Sequence, residues 1–347
     1  MQCVSRRCLA LGLLAAVGCG AAAQLQLREP DRLLLAFVGA GEAALEPSGP
    51  TAPLGGVARL SALVLRARSK ARRSLFLDSG GSLAAPEPAS PAARLQRARR
   101  MLGVYRRTSL TALNIDRLDL MLGEDLPRLQ AEAEFPFLSA NLQRDGVLLF
   151  PASGVFDGPG GRIGVTGVLD DRAELAAGFT ALDPIRAAAR AVRSLRDRGA
   201  RLVIVLSGLD LDRNRDLARS VAGIDLILGA GSETEDLHPI WVETTAIVST
   251  LDRFQYLGLL ELQLPSGPIV TRRDLTAELH GGRAPGLGIE AYFELAPSGP
   301  RPRRDPSWRQ PEAELWLAAI PLPVLPSQPE DEAIRALLGP AEGGGRR

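Results

Sequence analysis

One stretch near the middle of the chain constrains the fold more than any other. It contains an apolar run at 202–206, a polar turn, a helical segment at 212–221 and a second apolar run at 224–228. Two short apolar runs joined by a helix are typical of a βαβ unit whose sheet is covered on both faces. In such sheets the functional groups lie on the loops at the carboxyl ends of the strands. Here both loops, 207–209 and 229–233, are made mainly of small residues.

The rest of the chain alternates in the same way, which predicts an α/β fold with a largely parallel sheet. Further strands are expected at 33–38, 75–77, 110–114, 137–141, 162–168, 246–249, 255–264 and 314–320, and helices at 56–72, from Pro91, after Gly123, at 184–196 and at 329–338. Residues 296–311 are rich in Pro and Arg, which indicates a loop, and the Gly- and Arg-rich C-terminus is expected to be disordered.

Two residue types that metal and nucleophile chemistry usually needs are scarce. The chain has two histidines, His238 and His280, and three cysteines, all within the first 19 residues. Histidine is the commonest transition-metal ligand and general base, and a body without cysteine has no disulfide and no thiolate site. The formal net charge of +1 creates no field that would draw the chain to nucleic acid or to an anionic membrane.

The N-terminus has the parts of an export signal: Arg6 and Arg7, a short apolar core, and small residues up to Ala23. The core is too short to span a bilayer. Residues 16–19, Ala-Val-Gly-Cys, resemble a bacterial lipobox and predict lipidation of Cys19, whereas cleavage after Ala23 is the alternative. We therefore expect a signal peptide at 1–23 and a protein in the periplasm or on the outer membrane as a lipoprotein, or a secreted one.

Two short motifs resemble ligand-binding motifs, but the residues around them do not meet the requirements of such sites. Residues 39–44 fit a dinucleotide fingerprint, which needs a helix to begin at once, but a Pro- and Gly-rich break follows at 47–50. Residues 210–216 have the opening spacing of an EF-hand loop, but Arg215 and Val221 stand where glycine and glutamate are required. We predict that Asp210 and its neighbours instead cap and begin the following helix.

Six short motifs follow one another along the chain. They are GGVARL at 55–60, LDSGG at 77–81, FPFLSAN at 135–141, IGVTG at 163–167, IVLS at 204–207 and GIDLILG at 223–229. In this order they resemble the catalytic domain of the 5'-nucleotidase group of calcineurin-like metallophosphoesterases. The resemblance covers residues 32–270 and implies a four-layer α/β/β/α sandwich. Residues 271–347 would be a C-terminal extension, too short to supply the second domain with which such nucleotidases grip the nucleoside.

The activity of that family needs two metal ions held by carboxylates, an asparagine and histidines, and the resemblance implies that these ligands are lost. The corresponding positions are Ala40, Glu42, Gly81, Arg117, Leu118, Gly208, Gly231 and Glu233. The family's Gly-Asn-His-Glu motif falls on residues 116–119, so Arg117 replaces the metal-bridging asparagine and Leu118 the catalytic histidine. Neither His238 nor His280 is expected to be a ligand, and no catalytic residue or metal centre is expected.

The vacated site retains groups with which a ligand could bind. Glu42, Asp119 and Glu233 could together hold one divalent cation, because oxygen ligands suit Ca²⁺ or Mg²⁺. Arg117 could bind a phosphate without metal through its guanidinium. Alternatively, Arg117 pairs with Asp116, Asp119 or another carboxylate and merely fills the site.

The sequence therefore predicts an exported, non-catalytic protein of this fold. It would bind a small anionic ligand, with Arg117, Asp119 and Glu233 as candidate residues, or a partner protein of the cell envelope. No resident cofactor and no nucleic-acid partner are expected, and the membrane is reached only through the lipid anchor. The alternative function is a 5'-nucleotidase or phosphoesterase of nucleotide catabolism that works with a rebuilt metal site.

Overall fold

The computed structural model describes residues 31–49, 53–172, 175, 176, 178–229, 238–277, 283, 284, 303, 304 and 313–339. The expected leader with Cys19, the loop residues Gly231 and Glu233, His280 and most of the Pro- and Arg-rich segment lie outside the described residues. Within the described part, no helix has the length and apolar character needed to cross a membrane.

Strands and helices alternate along most of the chain. The strands are β1 (Asp31–Val38), β2 (Pro47–Ser48), β3 (Leu54–Gly55), β4 (Ser74–Asp78), β5 (Ala112–Asn114), β6 (Phe137–Leu138), β7 (Leu142–Arg144), β8 (Val147–Leu148), β9 (Ser153–Gly158), β10 (Gly161–Val168), β11 (Phe179–Ala181), β12 (Ala200–Ser207), β13 (Leu226–Gly229), β14 (Ile240–Val242), β15 (Thr245–Ser249), β16 (Tyr256–Leu264), β17 (Thr271–Asp274), β18 (Arg283–Ala284), β19 (Arg303–Arg304) and β20 (Glu314–Pro323). The helices are α1 (Val57–Ser69), α2 (Pro91–Thr108), α3 (Asp125–Glu132), α4 (Pro184–Asp197), α5 (Leu211–Ser220) and α6 (Glu332–Leu338), with a 3-10 helix at Asp119–Leu122.

Two large sheets form the centre of the molecule, and the α/β class is confirmed. The first has the order β17-β20-β16-β1-β4-β5-β6 and the second β14-β15-β13-β12-β10-β9. Parallel pairing runs from β1 to β6 in the first sheet and from β10 to β15 in the second. The expectation of largely parallel pairing is wrong at the outer strands, because two-residue turns at 159–160 and 243–244 can only join antiparallel neighbours. The antiparallel pairs β1–β16 and β16–β20 depart from it as well.

The alternation of side chains along β1 shows how the layers pack. Leu33, Leu35 and Phe37 join the apolar cluster that lies between the two sheets. The intervening residues Leu34 and Ala36 point to the opposite face, because successive strand residues alternate, and there they pack with α1, α2, α3 and α6. A third cluster packs α4 and α5 on the outer face of the second sheet.

Helix starts follow the capping signals in the sequence. Ser90 accepts a hydrogen bond from the Ala93 backbone N–H, and Asp183 caps α4 in the same way. Asp210 accepts from the backbone N–H of Arg213 at the start of α5, as predicted for the stretch that mimics an EF-hand opening. Each cap satisfies a backbone donor that has no partner within its own helix.

The segment that follows residue 270 adds strands to the first sheet and a helix to the layer that covers it. β17 and β20 extend that sheet, with β20 antiparallel to β16. Asp331 is the N-cap of α6. Its carboxylate accepts hydrogen bonds from Ser61 Oγ at 2.7 Å and Arg107 Nε at 3.0 Å. The buried Asp331 therefore ties α6 to α1 and α2.

Candidate functional site

The loops that follow β1, β4, β5, β10 and β12 meet at one end of the two sheets, which we call the loop end. Hydrogen bonds join them directly. Asn114 Nδ2 donates to the carbonyls of Ser79 at 2.9 Å and Val168 at 3.0 Å, and so links the two sheets. Ser79 Oγ donates to Leu228 O at 2.8 Å. The loop end is therefore a preorganised surface in which each loop supports its neighbours.

The loop after β1 is held in an unusual backbone conformation. Ala40, Glu42 and Ala43 have φ values of 46°, 51° and 46°, a region that residues other than glycine seldom adopt. Such residues persist only when their surroundings hold them. Here the ring of Phe254 occupies the space above Gly41, where an added Cβ would lie 2.0 Å from it. The ring of Phe254 therefore packs on this loop and holds its conformation.

Glu42 turns its carboxylate towards Arg253 rather than towards the other acidic residues. Its Oε2 lies 3.1 Å from Arg253 NH1. Burial raises the pKa of Glu42, and the charge of Arg253 offsets only part of that rise. Glu42 is therefore already paired.

Asp119 is fully buried and serves the backbone. Its Oδ1 accepts from Leu83 N at 2.8 Å, and its Oδ2 from Gly81 N at 2.8 Å and Asp116 N at 2.9 Å. Burial raises the pKa of Asp119, although these N–H groups act in the opposite direction. The carboxylate holds the loop after β4 against the loop after β5. The structure does not bring it together with Glu42 as a shared ligand set, and Glu233 lies outside the described residues.

Asp78 is a second buried carboxylate, which the sequence analysis missed. Its Oδ1 accepts from Gly80 N at 2.8 Å and Ser82 Oγ at 3.1 Å, and its Oδ2 from the hydroxyl of Tyr105. Burial raises its pKa to about 7, despite these three donors. The signal was available, since Asp78 directly follows the apolar run at 75–77.

Asp116 fills the centre of the loop end. A Cβ added at Gly208 would lie 2.4 Å from its Oδ1 and 2.6 Å from its Cγ, and one added at Gly81 would lie 3.7 Å from its Oδ2. The carboxylate thus lies between the loops, although the residue keeps some exposed surface. Burial raises its pKa to about 7, only partly offset by the backbone N–H and the charge of Arg117.

The position of Asp116 explains the glycine at 208. The resemblance places a glycine where Asp116 stands and a histidine where Gly208 stands. A larger side chain at 208 would compete with the Asp116 carboxylate for the same space, which favours glycine at that position. The sequence motifs gave no indication of this contact.

Arg117 is exposed on the rim of the loop end. Among the residues that the structure describes it makes no ion pair with Asp116 or Asp119. Neither of these two carboxylates therefore holds Arg117 in the described geometry, and a pair with another carboxylate stays a prediction. Leu118 is half-buried beside it and carries no polar group.

Arg213 neutralises the acidic loop after β10. Its NH1 contacts Asp170 Oδ1 and lies 2.6 Å from Asp171 Oδ1. With only 8% of its surface exposed, Arg213 is committed to these partners. Nearby, Ser207 Oγ donates to Asn214 Oδ1 at 2.6 Å, so α5 is also joined to the end of β12.

The described residues do not fit a two-metal centre. No group of three His, Cys, Asp or Glu side chains in the described ranges is placed to hold a metal ion. Gly81 and Gly208 offer no donor atom, and Asp78 and Asp119 direct their oxygens at neighbouring N–H and O–H groups. His238 lies exposed just before β14.

Comparison with known proteins finds similarity at the level of structure. No family model matches the chain, and no curated protein is similar in sequence. A 5'-nucleotidase precursor from Thermus thermophilus superposes with a TM-score of 0.65 and 23% identity, covering 88% of this chain and 57% of that one. The sulfate thiohydrolase SoxB from the same organism gives 0.65 and 19%, covering 88% and 59%.

A third structure matches over nearly its whole length. The calcineurin-like phosphoesterase YfkN from Bacillus subtilis gives a TM-score of 0.62 and 14% identity, covering 89% of this chain and 96% of that one. The chain thus has the fold of 5'-nucleotidases and calcineurin-like phosphoesterases, as the sequence motifs indicated. It spans less than two thirds of the length of the first two structures.

Proposed function

We propose that this chain is a non-catalytic protein of the metallophosphoesterase fold that binds a small anionic ligand at the loop end, next to Arg117. The observation that carries the proposal is the carboxylate of Asp116 in the space beside Gly208. Because the Asp116 carboxylate occupies this space, metal ions have less room within the loop end. A ligand would then bind on the rim, where Arg117 is exposed.

The proposal that the chain is non-catalytic is supported by the donors at the loop end. Hydrolysis by two metals requires paired ions that bind the phosphate, generate a hydroxide and stabilise the leaving oxygen. At this loop end Asp78 and Asp119 are engaged with protein donors, and Glu42 is paired with Arg253. No step of a metal-dependent reaction can be assigned to these side chains.

The preference for an anion rests on Arg117. Its guanidinium carries several N–H donors in a planar fork that matches phosphate and carboxylate groups. Two neighbouring arginines are occupied, Arg213 by Asp170 and Asp171 and Arg253 by Glu42. Arg117 remains as an exposed cation on this rim, together with Arg172 on the loop after β10.

We also propose that the protein is exported and carries a lipid on Cys19, in the periplasm or at the outer membrane. This rests on the charged, apolar and small-residue segments at 1–23. A partner protein of the envelope is the second occupant that an exposed arginine on a rigid rim would suit.

The test combines binding with turnover. We expect inorganic phosphate or AMP to raise the melting temperature of the protein, and Arg117→Gln to abolish that shift. The matched control is Arg128→Gln, which removes an exposed arginine of α3 that pairs with Asp125. Hydrolysis of AMP and p-nitrophenyl phosphate should stay at background with Mn²⁺, Zn²⁺, Mg²⁺ or Ca²⁺.

Three outcomes separate the readings. Metal-dependent turnover that is lost in Glu233→Gln would support the alternative, a phosphoesterase with a rebuilt site. A melting temperature that no anion changes would reject the anionic ligand. In that case crosslinking from position 117 in intact envelopes would test for a partner protein at the same rim.

A further inference from the structure

We propose that the outer face of α4 is a docking surface for an anionic lipid membrane. The face carries Arg186, Arg190 and Arg193, which we call the α4 arginine stripe. All three side chains are exposed. This surface is separate from the loop end, and the inference does not depend on the proposed ligand.

The stripe follows from the period of the helix. Residues spaced by four and then three positions lie on one line along an α-helix, and these three span about 10 Å at 1.5 Å per residue. The opposite face buries Ala188, Val192 and other apolar side chains against the second sheet. The three arginines must therefore point away from the body of the molecule.

The charges of the stripe are not neutralised by neighbours. Within the described residues none of the three makes an ion pair, whereas exposed arginines on other helices do. The acidic residues of the α4 region are Asp183, whose side chain caps the backbone of Arg186, and Asp197 at the last turn. The balanced net charge of +1 thus conceals a local excess of positive charge.

A membrane surface suits this stripe better than nucleic acid does. Proteins that bind nucleic acid commonly neutralise about six to ten phosphates, and their domains are strongly basic. Each arginine close to a plane of headgroup phosphates contributes about fivefold in affinity, so the three together would give a measurable preference for anionic lipid. The face also points away from the sheet, whereas the loop end lies at the strand termini, so docking would leave the loop end open.

The stripe would complement the expected lipid anchor. A basic patch is a recognised second signal beside covalent lipidation. The inference itself needs no anchor, since it concerns the charge of α4 alone.

The experiment measures co-sedimentation of the full chain with vesicles, so that the N-terminal segment is common to all variants. We expect more protein on vesicles with equal parts phosphatidylglycerol and phosphatidylcholine than on pure phosphatidylcholine, and loss of the difference at high salt. The variant R186Q/R190Q/R193Q should weaken the anionic component about a hundredfold, from about fivefold per arginine. The matched control R128Q/R215Q/R219Q removes three arginines that pair within their own helices and should bind as the unmodified chain does.

Several results would overturn the proposal. Equal binding of the two triple variants would show that general charge, and not the stripe, is responsible. Equal binding of the unmodified chain to anionic and neutral vesicles would show that the α4 arginine stripe is not a docking surface for anionic lipid. Tighter binding to duplex DNA than to anionic vesicles at the same phosphate concentration would assign the stripe to nucleic acid.

Discussion

A methyl group at position 208 should destabilise the protein only while Asp116 is present. In the unmodified protein the Cβ of Gly208→Ala would lie 2.4 Å from Asp116 Oδ1, well inside van der Waals contact. Relieving such overpacking by shifting a side chain or a loop costs about 1–3 kcal/mol. Asp116→Ala removes all three carboxylate atoms that approach position 208.

The sign of the effect should then reverse. Gly208 does not have a left-handed backbone conformation, so alanine is compatible with the site once the carboxylate is gone. A compatible Gly→Ala change stabilises by about 0.4–1 kcal/mol, because it restricts the unfolded chain. The two substitutions should therefore couple by about 1.5–4 kcal/mol.

Urea unfolding of the four proteins, followed by circular dichroism, measures this coupling. The control cycle combines Gly208→Ala with Asp157→Ala. Asp157 is an exposed residue of β9 that lies opposite Arg162 of β10 in the strand register, at the other end of the second sheet. Substitutions in the control cycle should add. Additivity within about 0.5 kcal/mol in the Asp116 cycle would refute the conclusion that the Asp116 carboxylate occupies the space beside Gly208.

Three further predictions concern protonation and the C-terminal helix. Because the pKa values of Asp78 and Asp116 are raised from 3.8 to about 7, unfolding free energy should fall as the pH rises from about 4 through 7. Urea midpoints at pH 5 and pH 8 check this, and Asp116→Asn should make the two more alike. Anion binding at Arg117 should strengthen as the pH falls below 7, because protonated Asp116 no longer repels the ligand. Calorimetric titration at pH 6 and pH 8 with sulfate, whose charge is the same at both values, would contradict this if affinity were unchanged. Asp331→Ala should cost about 1–3 kcal/mol in melting experiments at pH 7, through the lost cap and hydrogen bonds. Burial raises the pKa of Asp331, but its hydrogen bonds lower it below 3.8 overall, so this penalty should shrink once the pH falls below that value.

The elements that could be predicted from the sequence are those that depend on local chemistry. Helix α1 was expected at 56–72 and spans Val57–Ser69, because its apolar period and the following break are local. The cap Asp210 was identified for the same reason, since it contacts a backbone group three residues later.

Sheet order and the chemistry of the loop end depend on contacts between distant segments. The local pattern of β20 indicates a strand, but nothing in it indicates that β16 is its partner. Likewise, Asp116 becomes informative only when Gly208 is known to lie against it. The motifs identified the fold correctly, yet they directed attention to the expected loss of metal ligands and away from the carboxylates of Asp78 and Asp116.

The placement of β20 has a consequence for how the chain matures. β1 finds its antiparallel partner only when β16 has been made, and the far edge of β16 remains bare until β20 follows it. Pairings between such distant segments form slowly, and an open edge of apolar residues invites association with other chains. A chain that stops at residue 312 should collect in the insoluble fraction, because β16 would keep an uncovered edge along its whole length.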